Sequence, residues 1–432
     1  MHTRVTSLGI LSRLKDKTLF KLLSFLDAPD LLALSSVSWA LFVACNAEEL
    51  WRALVLLYLV EDKIARFSFH ISWKETYRSP TVPRSCQGAR IIPALVSPFS
   101  SLINCWSRKN KAWLLPPPYA CYEVKPSFLF YNVKGLNLAQ LPMNLSGIER
   151  CGPLSRSEFV ERFEKPNCPV IITGLMNSWR AMERWRLSSL LSSSPNLLLK
   201  TNGRSTNGKR FRMKLCDFVS YCEGWNGEKP LYIFDKKILG NTNLVDDYCV
   251  PEIFSEDLFD LMEDDDRPDY KWLLFGPNGS GSPFHTDPHD SSAWNAVIEG
   301  CKRVSFYPPW VIPPGVDEEE IHSEYYASED TMEWYRSIYP TLSPEKQPIE
   351  CLVQPGEILF IPSGWWHQVQ NIGHTIAVTQ NFCSRITFPR VARHMNAHAG
   401  KTVRKDFKIA LSESENYQHL AAEIVVNRKH NR

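Results

Sequence analysis

The sequence lacks an excess of charge of either sign, a long apolar run and any paired cysteine motif. Its 49 Lys and Arg residues nearly balance 47 Asp and Glu residues among 432, so the net charge gives no field that would favour nucleic acid. The most apolar stretch, Leu50 to Val60, is too short to span a bilayer and contains Arg52. The N-terminus has no small-residue cleavage site, so no signal peptide is expected. We predict neither membrane association nor sequence-specific binding of nucleic acid.

The twelve cysteines are scattered from Cys45 to Cys383 without a CxxC pair or a regular spacing. This pattern argues against a zinc finger and a disulfide framework, and it is typical of reduced thiols inside the cell. The composition, with 44% hydrophobic and 22% charged residues, is that of an ordinary globular protein. The length of the chain predicts two or three domains.

Residues 7–78 have the apolar periodicity of several short helices. Asp27, Ala28 and Pro29 are predicted to end one helix and begin the next. The segments LLSFLD, DLLALSSVS and LWR, in this order, resemble an F-box, the adaptor-binding motif of ubiquitin-ligase substrate receptors. A small helical packing domain is the alternative, and the VSWAL segment departs from the usual F-box pattern.

The rest of the chain changes character twice. Residues 79–147 are rich in proline and serine and are predicted to form a linker or extended arm. Residues 148–389 combine helical patterns with many short strands and Pro-Gly turns, which predicts an α+β domain built on a β-barrel or jelly roll. Within it, PEIFSEDLFDLM is predicted to be helical, and the last two strands are predicted to pair through a turn at Gly373. Residues 390–432 are predicted to form C-terminal helices, with two amphipathic helices after Ala399.

The stretch SPFHTDPHDSSAWNAVIEGCK, from Ser282 to Lys302, carries the functional prediction. His285 and Asp287 stand two apart in an extended stretch, so their side chains are expected to leave one face of one strand. His367, in PSGWWHQVQN, begins another apolar strand and is the predicted third ligand. Two His and one carboxylate on one face of an ion are the signature of non-haem Fe(II) oxygenases. The Lys302 ammonium is suited to anchor a co-substrate carboxylate.

Other prominent side chains have plainer interpretations. His289, His322 and His374 are predicted to be ordinary core or surface histidines. His289 and Asp290 follow Pro288 in a turn and are not expected to share the strand face of His285. Three tryptophans in strand-like runs are predicted to be core or pocket wall and not a methyl-cation cage: Trp294, Trp365 and Trp366.

Four ordered motifs, PLYIFD, FHTDPHDSSAWNAVIEGCKR, QPGEILFIPSGWWHQVQN and TIAVTQNF, resemble the JmjC (Jumonji C, cupin-type) family of 2-oxoglutarate oxygenases. Within that family the chain is most similar to the arginine demethylase and lysyl hydroxylase subfamily once described as a phosphatidylserine receptor. Together with the F-box-like segment, it resembles the F-box-containing JmjC proteins of plants. The resemblance implies a small helical F-box domain followed by a double-stranded β-helix, or jelly-roll (cupin) JmjC domain, with flanking helices.

The resemblance also implies individual roles. His285, Asp287 and His367 would hold Fe(II), and Lys302 would pair with the far carboxylate of 2-oxoglutarate. Ser282 stands where the subfamily typically has threonine, and the Pro283 beside it replaces a more flexible residue, which alters the rim of the pocket. Four further side chains would contact or support the co-substrate: Tyr232, Ser282, Asn295 and Thr379, whose hydroxyl would donate to the same carboxylate.

The function implied is an Fe(II)- and 2-oxoglutarate-dependent protein dioxygenase that uses O2. The favoured prediction is a histone arginine demethylase that hydroxylates N-methyl groups of histone or other basic tails, with protein lysyl hydroxylation as the alternative. The second class is a ubiquitin-ligase receptor that binds a Skp1-type adaptor through the F-box and uses the barrel for recognition alone. The nucleus is the expected location, with the cytoplasm as a second one.

Overall fold

The computed structural model describes residues 8–14, 16–60, 68–70, 72–79, 147–204, 210–225, 230–236, 238–263, 266–316 and 331–426. The chain divides into two compact units, which are Met1–Gly135 with Lys200–Gly227, and Leu136–Leu199 with Glu228–Arg432. Residues 200–227 therefore belong to the first unit, whereas the sequence had suggested one continuous domain over 148–389. His322 and nearly all of the predicted linker at 79–147 lie outside the described residues.

The described N-terminal part of the first unit is helical, as predicted. The Asp27 side chain accepts a hydrogen bond from the Asp30 amide and caps the second helix, which has proline in its first turn. Ser38 caps the third helix through the Leu41 amide in the same way. After a 3₁₀ turn at Gly9–Arg13, the helices are Asp16–Leu23, Ala28–Ser35, Trp39–Cys45, Glu48–Val60 and Trp73–Arg78.

The first unit also contains most of the strand Leu198–Arg204, the strand Arg210–Lys214 and the helix Leu215–Gly224. Aromatic rings join this segment to the N-terminal helices inside the unit. The Tyr221 ring lies 5.1 Å from that of Phe69 and 5.6 Å from that of Trp73, measured between ring centroids. These ring contacts explain why a segment so distant in sequence folds with the N-terminal helices.

The second unit is built on one set of strands that forms two layers. The strand order is β1–β2–β8–β6–β9–β4–β3, with β5 paired to β9 and β7 paired to β6. Only the β1–β2 pair is parallel among the described pairs. The strands are β1 Glu149–Cys151, β2 Val170–Thr173, β3 Ile233–Asp235, β4 Lys271–Gly276, β5 Gly281–His285, β6 Ser292–Tyr307, β7 Ile349–Val353, β8 Glu357–Ile361 and β9 Trp366–Phe382.

The long strands β6 and β9 belong to both layers. The first half of β6 pairs with β8 and its second half with β7, while β9 pairs first with β5 and then with β4. Both strands bend at a glycine with positive φ, Gly300 at 76° and Gly373 at 72°. The predicted turn at Gly373 is therefore wrong, because residues 366–382 form one bent strand with a register shift against β6 between Ile372 and Ile376.

The two layers enclose the core of the second unit, and this jelly roll agrees with the predicted α+β class. Its buried side chains come from alternating strand positions, as the pleat requires. Members of the cluster include Ile171, Trp272, Leu274, Val297, Val304, Phe306, Leu359, Ile361, Val369 and Ala377.

Short helices surround the strands. Ser155 and Glu158 form a capping box with reciprocal hydrogen bonds, at the start of a helix that continues as a π-helical turn. Between β1 and β4, the regular helices of the second unit among the described residues are Arg156–Phe159, Ala181–Arg184, Leu187–Ser193 and Ile238–Asn241. Helix α1, Thr331–Ser337, lies between β6 and β7.

The segment PEIFSEDLFDLM is not the predicted helix. It forms two separate 3₁₀ turns, Glu252–Phe254 and Leu258–Leu261. Asp257, between the turns, caps the second one, pairs with Arg267 and accepts a hydrogen bond from the Cys383 amide. These tertiary contacts hold Asp257 in an extended conformation that a helix would not allow.

The C-terminal helices were predicted to begin at residue 390, and the first of them begins two residues earlier, at Phe388. Helix α2 spans Phe388–His398 and α3 spans Lys401–Glu413. The second helix predicted after Ala399, over AAEIVVNRKH, does not form in the described part of that segment, where a 3₁₀ turn spans Gln418–Glu423. Asn396 binds the backbone at Glu423 and Val425 just after this turn. Residues 427–430 of the segment lie outside the described residues. None of the helices in the described ranges combines the length and apolarity that a bilayer span requires.

Candidate metal and co-substrate site

The three predicted metal ligands lie close together where β5 ends and β9 begins. His285 ends β5, His367 is the second residue of β9, and the two residues face each other across the paired strands. Their ring centroids lie 4.2 Å apart, and Nε2 of His367 lies 3.9 Å from Oδ2 of Asp287. The prediction placed Asp287 on the same strand as His285. In the structure it lies two residues beyond the end of that strand, in extended backbone. Donor atoms of all three residues lie within 4.8 Å of one another.

Backbone carbonyl groups fix the orientation of both imidazoles. Nδ1 of His285 lies 2.7 Å from the Pro283 carbonyl oxygen, and Nδ1 of His367 lies 3.1 Å from that of Trp365. A carbonyl oxygen only accepts hydrogen bonds, so Nδ1 carries the proton in each ring and Nε2 keeps its lone pair. Burial and the neighbouring His285 ring lower the pKa of His367 to about 4, so this imidazole is neutral at physiological pH.

These donors fit a non-haem iron. Two imidazoles and one carboxylate gathered around a shared point form the facial triad typical of Fe(II) oxygenases. Oδ2 of Asp287 is buried and has no hydrogen-bond partner within the described part of the chain. A buried oxygen without a partner is costly unless it binds a cation or a donor. We found no other group of three His, Cys, Asp or Glu donors this compact among the described residues.

All eight predicted site residues line a single cavity of about 250 Å³. The fold thus brings together residues that the sequence separates by well over a hundred positions. Beside the three ligands, the predicted residues that line the cavity are Tyr232, Ser282, Asn295, Lys302 and Thr379.

Lys302 and Asn295 enter the cavity from β6. The Lys302 side chain is buried, at 1% exposure, and its ammonium has no hydrogen-bond partner in the ranges that the structure describes. Burial lowers the pKa of Lys302 to about 7. Oδ1 of Asn295 is likewise buried without a partner there. An isolated amine and an amide in an apolar cavity are complementary to an anionic ligand with several acceptor atoms, such as 2-oxoglutarate.

The other three predicted co-substrate residues differ in their surroundings. The Thr379 hydroxyl donates to the Trp294 carbonyl oxygen at 2.9 Å, so donation to a co-substrate requires this hydroxyl to turn. Burial raises the pKa of the Tyr232 phenol, which keeps it protonated as a hydrogen-bond donor. Ser282 is half-buried on β5 at the edge of the cavity.

The cavity has an aromatic wall that was not predicted from the sequence. Phe234 and Trp272 line it, with their rings stacked at 5.3 Å between centroids. Phe234 follows Tyr232 by two residues in an extended segment, and Trp272 is paired with Thr379 across β4 and β9. Period-two alternation from Tyr232 could therefore have indicated Phe234. Further cavity residues not predicted are Leu274, Thr286, Pro288, Ile361, Val369 and Asn381.

Comparison with known proteins agrees with this geometry. A family described as "Cupin-like domain" matches residues 155–388. The chain is 34% identical to "Arginine-specific demethylase JMJ22" of Arabidopsis thaliana over 89% of its own length and 70% of that protein. It is 38% identical to "Bifunctional arginine demethylase and lysyl-hydroxylase psr-1" of Caenorhabditis elegans over 54% of its length and 59% of the relative. It is 27% identical to mouse "2-oxoglutarate and iron-dependent oxygenase JMJD4" over 58% of its own length and 63% of that protein.

The chain belongs to the cupin-like JmjC family of 2-oxoglutarate- and iron-dependent oxygenases. Fe(II), 2-oxoglutarate and O2 are the metal and co-substrates of this enzyme class. The predicted enzyme class and its jelly-roll domain are confirmed, whereas the F-box and the roles of individual site residues stay predictions.

Proposed function

We propose that this oxygenase demethylates methyl-arginine side chains in basic protein segments such as histone tails. The observation that carries the proposal is the stacked wall of Phe234 and Trp272 inside the cavity that holds the metal triad. Aromatic faces attract cations, and a methylated guanidinium is a flat cation with apolar edges that stacks on them. The names of the JMJ22 and psr-1 relatives, which both include arginine demethylation, support the same substrate.

Each part of the cavity has a role in this reaction. His285, Asp287 and His367 would hold Fe(II), and Lys302 would bind the far carboxylate of 2-oxoglutarate. Iron with 2-oxoglutarate and O2 supplies one oxygen atom for insertion into a C–H bond, while 2-oxoglutarate is converted to succinate and CO2. The apolar walls position the substrate and exclude water. A hydroxylated N-methyl group breaks down to formaldehyde and the demethylated nitrogen.

Lysyl hydroxylation is the second candidate reaction. The same aromatic wall accepts the methylene stem of a lysine, and the psr-1 relative is named for both activities. The product differs, because a hydroxyl group on a side-chain carbon is stable and is not lost. The mass of the product peptide therefore separates the two reactions.

The test is mass spectrometry of peptides from histone tails and Arg/Ser-rich splicing proteins, in methyl-arginine, methyl-lysine and unmethylated forms. Each is incubated with the purified enzyme, Fe(II), ascorbate and 2-oxoglutarate. We expect methyl-arginine peptides to lose the mass of one methylene group, with release of formaldehyde. Addition of one oxygen atom to lysine peptides would instead establish hydroxylation.

Two histidine variants control this experiment. His367→Ala removes a proposed iron ligand and is expected to abolish turnover. His374→Ala lies on the same strand, is not among the cavity residues, and is expected to keep it. If the wild-type enzyme turns over 2-oxoglutarate but modifies only methyl-lysine, the arginine proposal is wrong. Without any turnover of 2-oxoglutarate, both candidate reactions fail.

We also propose that the N-terminal helices bind a Skp1-type ubiquitin-ligase adaptor, as the F-box-like pattern suggests. Supporting this, Phe25 is 70% exposed, Val37 68% and Leu22 47%, which leaves apolar side chains available for a partner. Phe25→Glu is expected to weaken binding of purified adaptor at least tenfold in calorimetry. The matched control, Ile409→Glu, changes an exposed apolar residue of the other unit. Equal binding by both variants, or none by the wild type, would contradict the proposal.

The nucleus is the proposed location, because histone tails are the favoured substrates. Fluorescence microscopy of the tagged full chain tests this directly. A signal confined to the cytoplasm would shift the expected substrates to basic cytoplasmic proteins without affecting the oxygenase chemistry.

A further inference from the structure

Four metal-type donors lie beside the turn that carries Asp287, and the oxygenase reaction does not use them. His289 and Asp290 follow Pro288 in that turn, immediately after the iron triad's carboxylate. His394 and His398 stand one helical turn apart on α2 and therefore share one face of the helix. Three imidazoles and one carboxylate thus come from two segments that are about a hundred residues apart in sequence.

The four side chains form one cluster. The His394 and His398 ring centroids lie 4.7 Å apart, and the His289 ring lies 6.2 Å from that of His394. The Asp290 carboxylate interacts electrostatically with both His394 and His398 and accepts a hydrogen bond from Thr286. The cluster thus joins the metal-bearing turn to the C-terminal helix within the second unit.

The backbone of the turn holds its two donors in an unusual conformation. His289 and Asp290 have φ of 58° and 53°, in the left-handed region that residues other than glycine rarely adopt. Such strain persists where the surrounding structure fixes it, and it is common at ligand sites. In this turn both side chains lie near α2, with the His289 ring 6.2 Å from that of His394 and the Asp290 carboxylate near His394 and His398.

We propose that His289, Asp290, His394 and His398 bind a second divalent metal ion, separate from the catalytic iron. Imidazole donors with one carboxylate suit Zn²⁺ and its borderline neighbours Co²⁺ and Ni²⁺, and two histidines four residues apart on a helix are a common chelating pair. The ion would tie the turn that carries Asp287 to α2 and so stabilise the position of that ligand.

The second cluster is less compact than the iron triad. Its His289 and His394 rings lie 6.2 Å apart, against 4.2 Å for His285 and His367. Binding therefore requires the imidazoles to rotate toward a common point. His398 is exposed and His394 is half-buried, so ions in the solvent can reach both side chains. Weaker binding than at the triad is expected for this reason.

Metal stoichiometry tests the proposal without any turnover. Untagged full-length protein, treated with a chelator and dialysed, is titrated with Zn²⁺ and with Co²⁺ by calorimetry, and bound metal is counted after gel filtration. We expect two equivalents in the wild type. His394→Ala and His398→Ala should each retain only the triad equivalent, while His285→Ala should retain only the second. The matched control, His419→Ala, removes an exposed histidine of the C-terminal segment and should keep two.

Several outcomes would overturn the proposal. A single equivalent in the wild type would mean that the cluster binds no metal, and a second equivalent that survives both His394→Ala and His398→Ala would be adventitious. Circular dichroism identifies any misfolded variant, and Asp290→Asn, which keeps the side-chain shape, provides an independent test with a tenfold or greater loss of affinity at the second site. Because no 2-oxoglutarate or substrate is present, this result is independent of the demethylase proposal.

Discussion

The buried ammonium of Lys302 should make the stability of the folded chain depend on pH. With the pKa lowered from 10.5 to about 7, keeping Lys302 charged in the folded chain costs about 5 kcal/mol at pH below 7, at 1.36 kcal/mol for each pKa unit. Between pH 7 and 10.5 the unfolded chain holds a proton that the folded chain has released. The free energy of unfolding without co-substrate should therefore rise with pH across this window.

Binding of 2-oxoglutarate should show the opposite pH dependence. In the proposed role, the charged ammonium of Lys302 binds the far carboxylate of 2-oxoglutarate. Above pH 7 this binding would take up a proton, and the affinity should fall by up to tenfold for each pH unit. Lys302→Met removes the charge with little change in volume. Losing one partner of a buried ion pair costs about 2–5 kcal/mol, which weakens 2-oxoglutarate binding by about 30-fold to several thousand-fold.

Calorimetry with Mn²⁺ in place of iron measures this binding without turnover, from pH 6 to 9. Urea unfolding over the same range measures the stability of the ligand-free protein. Lys302→Met should be more stable than the wild type near pH 7 and should lose both pH dependences. Lys271→Met, a partly exposed lysine at the start of β4, is the matched control. Binding by Lys302→Met within threefold of the wild type would refute the assigned role.

Three further substitutions test the site and its support. Thr379→Val removes the hydroxyl that donates to the Trp294 carbonyl, and it should raise the KM for 2-oxoglutarate several-fold and lower the free energy of unfolding by about 1 kcal/mol. Gly281 has a φ of 154°, and a Cβ there would collide with the Val369 carbonyl. Gly281→Ala should therefore lower the free energy of unfolding by about 1–3 kcal/mol and weaken metal binding, since β5 carries His285. Glu350→Leu leaves the buried Arg303 guanidinium without its carboxylate and should cost about 3–5 kcal/mol in urea unfolding.

Each of these has its own control. For Gly281, Gly400→Ala is the comparison, because a Cβ at Gly400 meets no atom within 4 Å; equal stability losses would contradict the steric argument. For the buried ion pair, the double variant Arg303→Met with Glu350→Leu should recover most of the free energy of unfolding that Glu350→Leu alone loses. If it does not, the loss comes from disrupted packing and not from the unpaired charge of Arg303. An unchanged KM in Thr379→Val would show that this hydroxyl has no part in co-substrate binding.

Much of the site follows from local spacing in the sequence. His285 and Asp287 are two residues apart, and extended backbone places both side chains on one side whether or not a strand continues through them. The sequence could not show which strands pair. Asn295 and Thr379 face each other only because β6 and β9 are neighbours. That proximity is a property of the fold, and only the family resemblance indicated it.

The wrong predictions share a physical cause. Glycine is common both in tight turns and at bends within a strand. Gly373 therefore indicated a change of chain direction, but it could not distinguish a turn between two strands from a bend within one. PEIFSEDLFDLM has apolar residues at helical spacing, but Asp257 is held by Arg267 and the Cys383 amide. Long-range contacts therefore decided both structures, and local propensity gave no information about them.

The hydrogen bonds from the two histidine rings to the Pro283 and Trp365 carbonyls affect how the site tolerates sequence change. In many metal sites a separate carboxylate holds the imidazole, and losing that side chain loosens the ligand. Here each ring is held by main chain two residues before it in the same segment. A side-chain substitution does not remove a main-chain carbonyl group. The orientation of both histidine rings therefore depends on the backbone conformation and not on the identity of neighbouring side chains. Neighbouring side chains are then open to mutation, and substrate preference can diverge around an unchanged metal centre.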